Sequence, residues 1–285
     1  MLDDASRGAK PFRMVGDGDL SVPCRRCTHD DLYSVNDLHV VQAVDSFPSS
    51  YPAREVVSGA ARKPLTKSFP NAKVTMGVGY IEDRPKAAAI VGRIVTSWAD
   101  IEIQATRLLA ELMGANIPQV AAVFGSLRNT RSQSDALVAA AETVLNEQDL
   151  LLFHAYIARK ASLEKERNDL AHGCFGVSVS IPDHIVWVAQ SDFLAFTAAH
   201  KANHKTFELK ERQFVYELGT LERIAQEIVE FYDQLGFFSG YLSARHDGSR
   251  GEAFREQRYP ELCAQPHINE AILAIKAKKQ KGRSK

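Results

Sequence analysis

Between Lys86 and Met113, the residues Ile94, Trp98, Ile101, Ala105, Leu108 and Leu112 recur at alternating steps of four and three. That spacing tracks the turn of about 3.6 residues, so all of them fall on one seam of a long α-helix. Gly114 supplies its stop. A seam of this length is core, and other helices must cover it.

The rest of the chain offers such helices. Periodicity predicts a short helix near 118–125, another over about 131–145, and a long one from Glu147 to His172. Phe175–Ile181 and His184–Ala189 alternate and are rich in β-branched residues, with Pro182-Asp183 between them, the pattern of a β-hairpin. A last long helix is expected over about Lys210–Leu242, and INEAILAIKAKK reads as a short one. No internal repeat is present. The expected fold is all-α, a bundle of four to five helices over residues 86–244 with a small inserted β-hairpin, followed by a tail, 245–285.

Residues 1–85 read differently. Proline and glycine recur from Pro11 to Pro85, and apolar runs such as Leu38–Val44 are short. This predicts a loosely structured N-terminal arm with one short helix near 36–45. Basic and acidic residues balance at 35 each. No global field therefore draws the chain to nucleic acid or an anionic membrane, and either partner would have to be met by a local patch. No apolar run approaches the ~20 residues needed to cross a bilayer. The start, MLDDASRGAKPF, is acidic where a signal peptide is basic and lacks an apolar stretch. The expectation is a cytoplasmic protein, without a membrane partner, whose four cysteines are thiols.

One interruption of the helical pattern stands out. KERNDLAHGCFG, residues 165–176, carries Arg167, Asn168 and His172 at the end of the 147–172 helix. With Tyr156 at zero on a helical wheel, Leu152, Leu163 and Leu170 fall within about 40° on one side. Phe153, Ile157 and Ala171 lie within about 100° on the other, and Arg167 sits near 20°, toward the middle of that apolar arc. Glu164, Asn168 and His172 step around its edge. A guanidinium on a core-facing stripe needs an anionic partner, because a buried charge stripped of its partner costs about 3–5 kcal/mol. Glu164 is near in sequence, and Glu102, one turn beyond Trp98, is the other candidate. The plainer alternative is that Arg167 snorkels outward, His172 favours the helix C-terminal dipole, and Gly173 is a C-cap.

Arg167-Asn168-Asp169-Leu170-Ala171-His172 resembles the RxxxxH motif of the HEPN superfamily, including its preference for Asn after the Arg. The earlier helix GRIVTSWADIEIQATRLLAELMG, with its Trp-x-x-x-Glu, fits the same context, and the resemblance covers roughly residues 87–242. It implies a metal-independent ribonuclease with no cofactor, usually a homodimer whose two motifs meet in one composite site. On that resemblance His172 moves protons, Arg167 faces the charge on the phosphoryl oxygens, and Asn168 orients the ring or contacts phosphate. Asp169 lies within the motif, and Glu102 or Glu164 would support Arg167 from behind. Members of the superfamily often act as toxins or in anti-phage defence. Two alternatives stay open: a non-catalytic helical module that binds RNA, nucleotide or a partner protein, and a purely structural dimerisation module.

Other features carry less. Cys24-Arg-Arg-Cys27 followed by His29 is half of a zinc ribbon with no second pair; His39 fits no spacing, and Cys174 and Cys263 are isolated. Gly77-Val78-Gly79-Tyr80 lacks the third glycine and the preceding strand of a dinucleotide site. No metal site is therefore expected. Lys276, Lys278, Lys279 and Lys281, with Arg283 and Lys285, form a cationic run that is either solvated or an attractor of RNA phosphates. Phe231, Tyr232, Phe237, Phe238 and Tyr241 exceed what one buried face needs, and part of that surface is expected at a dimer interface.

Overall fold

The computed structural model describes residues 61–77, 79–127, 129–201 and 209–283. They belong to one contact unit, Val56–Lys285; the other, Met1–Glu55, lies outside the described residues, as do the short helix expected near 36–45 and the Cys24, Cys27, His29 and His39 group.

Residues 61–84, expected within the loose arm, instead contribute to a sheet. β1 (Lys63–Pro64), α1 (Leu65–Ser68) and β2 (Thr75–Met76) precede a 3₁₀ turn, Tyr80–Asp83. Leu65 is fully buried and packs with Ile181, Val186 and Val215, joined at the edge by Phe69 and Val74. These apolar residues are too few and too interrupted by proline to signal an element locally, yet each finds a pocket on the sheet.

The seam helix follows as α2 (Pro85–Met113), and its buried residues include Ile94, Trp98, Ile101, Ala105, Leu108 and Leu112 as the periodicity requires. Gly114 ends it in the left-handed region at φ 58°, a conformation that carries no penalty without a Cβ, and its N–H returns to the carbonyls of Ala110 and Glu111. Next come α3 (Ile117–Ser126), α4 (Thr130–Val144) and α5 (Glu147–Ala171), all within a residue or two of the expected bounds. Asn129 and Asn146 cap α4 and α5, each side-chain oxygen accepting an amide three residues on.

The hairpin is present as β3 (Gly173–Val177) and β4 (His184–Ala189), but it is part of a larger sheet. After α6 (Gln190–Lys201), residues Phe214–Glu217 form β5 rather than the first turn of the last helix, which is α7 (Leu218–Ser243). The antiparallel order is β1-β5-β4-β3-β2. Alternation explains the change: Val215 faces the Leu65 cluster while Tyr216 enters the bundle core, a two-sided burial that a helix start would not provide. Ile185 and Trp187 join Tyr216 on the bundle side.

The expected tail is ordered through Arg283 as α8 (Gly248–Ala264) and α9 (Pro266–Arg283). Arg255 pairs with the buried Asp149 on α5, whose other oxygen accepts the Tyr241 hydroxyl at 2.6 Å. Tyr156 on α5 donates to Gln265 at 3.0 Å. The protein is thus mostly helical with a small antiparallel sheet. Its main core lies where α2, α5 and α7 meet, around Trp98, Phe153, Tyr156, Phe231 and Phe238. Among the described residues no single helix is long and apolar enough to cross a membrane.

Candidate functional site

α5 carries the motif, and its buried face contains charge as well as hydrocarbon. Lys160 and Glu164, 5% and 8% exposed, pair at 3.0 Å one turn apart, and the Lys160 ammonium lies 5.3 Å from the centre of the Trp98 ring. Glu164 is therefore committed to Lys160 and does not support Arg167. Glu102 does not support it either. It follows Ile101 by about 100° on α2, so when the seam is buried Glu102 faces outward and is exposed. The expected carboxylate behind Arg167 is absent among the described residues.

Arg167 is half-buried, as are its neighbours Glu166, Asn168 and Asp169, so it does not enter the core as Leu163 and Leu170 do. Its Nη1 donates to Asn168 Oδ1 at 2.8 Å, and its Nε is buried without a hydrogen-bond acceptor. The Asn168 amide thus turns toward Arg167 and not toward the His172 ring. Asp169 forms an ion pair with Arg62 at 2.7 Å. His172 is exposed and caps the helix, its N–H donating to the Asn168 carbonyl at 3.0 Å. Five residues of helix separate Arg167 and His172 by about 140° around the axis and about 7.5 Å along it. One copy of the motif joins Arg167 to Asn168 and leaves His172 on another side of the helix.

Sequence reasoning missed two residues beside the motif. Trp187 Nε1 donates to the Asp169 carbonyl at 2.7 Å, and the Arg62 guanidinium stacks 4.0 Å above the Trp187 ring and 5.0 Å from that of Phe214. The only local signal was a tryptophan in the otherwise aliphatic strand IVWVA; Arg62 gave none. Around them the charge is tuned. Burial, reinforced by Asp169, pushes the Glu166 carboxyl above its ordinary range against the pull of Lys165, Arg62 and Arg223. Burial and the Glu166 charge push the Tyr216 hydroxyl up to about 12.

Lys276, Lys278, Lys279 and Lys281 are not in a loose tail. They belong to α9, whose residues 276–281 are all exposed, so these turns project beyond the buried Ile272. Of the aromatic run on α7, Phe231, Phe238 and Tyr241 are core, with Phe238 stacked on Tyr156 at 4.3 Å, while Phe237 remains 40% exposed. The core thus claims Phe231, Phe238 and Tyr241, and Phe237 is the exposed member of the run. Cys174 and Cys263 are free thiols, and among the described residues no three His, Cys, Asp or Glu side chains are grouped to hold a metal.

Two hollows lie away from the motif. A cavity of about 220 Å³ opens at the start of α2 beside His184 and Tyr216; there Arg84 donates to the Ser178 carbonyl and Lys86 pairs with Glu222. The other, about 500 Å³, is apolar and lies between Leu112, Phe124 and Val144. No family model matches the chain, and no curated protein or solved structure matches it.

Proposed function

We propose that the chain is a HEPN-like, metal-independent endoribonuclease that acts in the cytoplasm as a homodimer, the paired ends of α5 forming one composite site. One observation carries this reading: among the described residues Arg167 has no carboxylate partner, in a segment that is rich in them. Glu164 is held by Lys160 and Asp169 by Arg62, so neither carboxylate neutralises the guanidinium, which bonds to the neutral Asn168 amide. A cation in that condition is suited to an incoming phosphate.

The chemistry follows from RNA itself. The 2′-OH attacks the adjacent phosphorus, the P–O2′ bond forms and the P–O5′ bond breaks, leaving a 2′,3′-cyclic phosphate and a 5′-OH. One base accepts the proton from the 2′-OH and one acid returns a proton to the departing 5′ oxygen. An imidazole with an ordinary pKa of about 6.5 suits either task, but one motif contains one histidine. Two-fold pairing supplies the second and also relieves the divergence of Arg167 from His172 within a single subunit. Arg167 faces the phosphoryl oxygens, where charge accumulates. The projecting lysines of α9 add salt-dependent, sequence-independent attraction for the RNA backbone. A role as a toxin or anti-phage effector rests on the family resemblance alone.

Incubation of purified protein with RNA in EDTA tests the reading. Wild type is expected to cut RNA and spare matched DNA, while His172→Ala and Arg167→Ala lose cleavage; equal cutting by wild type and His172→Ala overturns it. The divergence of Arg167 and His172 within one subunit also favours a second reading, a non-catalytic RNA-binding module. That module would retain salt-dependent RNA affinity in wild type and produce no cleavage.

A further inference from the structure

We infer that Trp187 and Arg62 are positioning residues that set the direction of the Arg167–His172 end of α5, an inference resting on the ribonuclease reading of that end. In an uninterrupted helix the Asp169 carbonyl would accept the amide of Gly173, four residues on. Here the chain leaves the helix at His172 and Gly173 is already in β3, paired with Ala189. The Trp187 indole N–H takes the vacated place at 2.7 Å.

Gly173 is what lets the indole in. A Cβ at that position would lie 1.7 Å from Trp187 Nε1, so the ring rests directly on the backbone that follows His172. The Asp169 side chain meanwhile pairs with Arg62, which is stacked on the same indole. His172 is thus bracketed on both sides in sequence, by a carbonyl bonded to Trp187 and by a glycine covered by it. Trp187 and Arg62 act on Asp169 and Gly173, on either side of His172. Their effect passes through the backbone, and a small misplacement of a reacting group is enough to lower turnover by orders of magnitude.

Trp187→Phe tests this, because it keeps a ring beneath Arg62 and removes the N–H. Two readouts are needed: kcat and KM on RNA in EDTA, and the proton NMR resonance of the His172 ring Hε1. The expected result is a fall in kcat of about tenfold with KM within about twofold, together with a shifted or broadened His172 resonance. Arg62→Met should lower kcat in the same way, and Arg62→Lys should restore part of it. If Trp187→Phe does not fold, the Arg62 pair carries the test. An unmoved His172 resonance in the folded variants, or a loss confined to KM, overturns the inference. Should wild type cut no RNA, the ribonuclease reading falls, and the resonance alone decides whether the indole positions His172.

Discussion

Replacing Glu164 by Gln would leave the Lys160 ammonium, 5% exposed, without its counter-charge. The expected loss is about 3–5 kcal/mol in urea unfolding, and Lys160→Met with Glu164→Leu should recover most of it, since an apolar pair of similar volume replaces a buried ion pair at little cost. Gly173→Ala should destabilise by about 1–3 kcal/mol, because the new methyl collides with the Trp187 indole. In a Trp187→Ala background the same change should cost far less, and a double-mutant cycle by denaturant titration measures the difference. At this scale the sequence disclosed position but not partnership. The helical wheel put Arg167 toward the core, where the structure leaves it half-buried like its neighbours, and the partners proposed for it did not hold. Lys160 lies one turn before Glu164 and captures it, and nothing in the local pattern ranks Lys160 above Arg167. The glycine after the motif was legible as a helix stop. Its true reason, room for a ring arriving from β4, depends on a residue that the fold brings from fourteen positions away.

α5, α7 and α9 meet at an ionic junction that makes stability depend on acid. Burial disfavours the Glu227 charge, but hydrogen bonds and charge from Arg159 and Arg223 hold its carboxyl below the ordinary range. Burial, with Arg159 beside it, pushes the His267 ring below its usual 6.5, against the pull of Glu227, Glu270 and Glu230. Both folded-state values are depressed, so the stability they contribute is present above the unfolded values and is lost as pH falls. The His267 contribution should decline as pH drops below about 6.5 and the Glu227 contribution below about 4.5, while the raised Glu166 and Asp233 carboxyls act in the opposite sense. The wild-type unfolding midpoint should therefore fall relative to that of His267→Gln as pH drops through 6.5. A difference between the two proteins that is unchanged from pH 7 to 5 would contradict this. α2 and α5 were readable to within a residue or two because their own seam dictates them, whereas α7 begins eight residues later than expected. β5 was not, because four residues ahead of a helix share its apolar character and only pairing with β1 and β4 distinguishes them. α8 was hidden by two glycines, a proline at 260 and a nearly all-polar surface, with only Gly251 and Leu262 buried.

For the molecule as a whole, the hydroxyls of the core set an alkaline limit. Burial pushes Tyr216 and Tyr241 up to about 12 from the usual 10.0, so the folded state favours their neutral forms. Stability is full below pH 10 and should be lost as pH rises toward 12, with Tyr216→Phe weakening that dependence in alkaline melts. The bundle was foreseeable because its longest helices each carry an apolar face that must be covered. The sheet beside it was only half foreseeable, since two of its strands contain two residues each and come from the proline-rich segment before α2. It is this sheet that meets the end of α5 and supplies Trp187, with Arg62 just ahead of β1. The central claim is that the end of α5 breaks RNA through its own 2′-hydroxyl, and mass spectrometry of the cut ends tests it most directly. The account predicts 2′,3′-cyclic phosphate and 5′-hydroxyl termini from wild type in EDTA and none from His172→Ala. Intact RNA from wild type, or the same termini from both proteins, would contradict it.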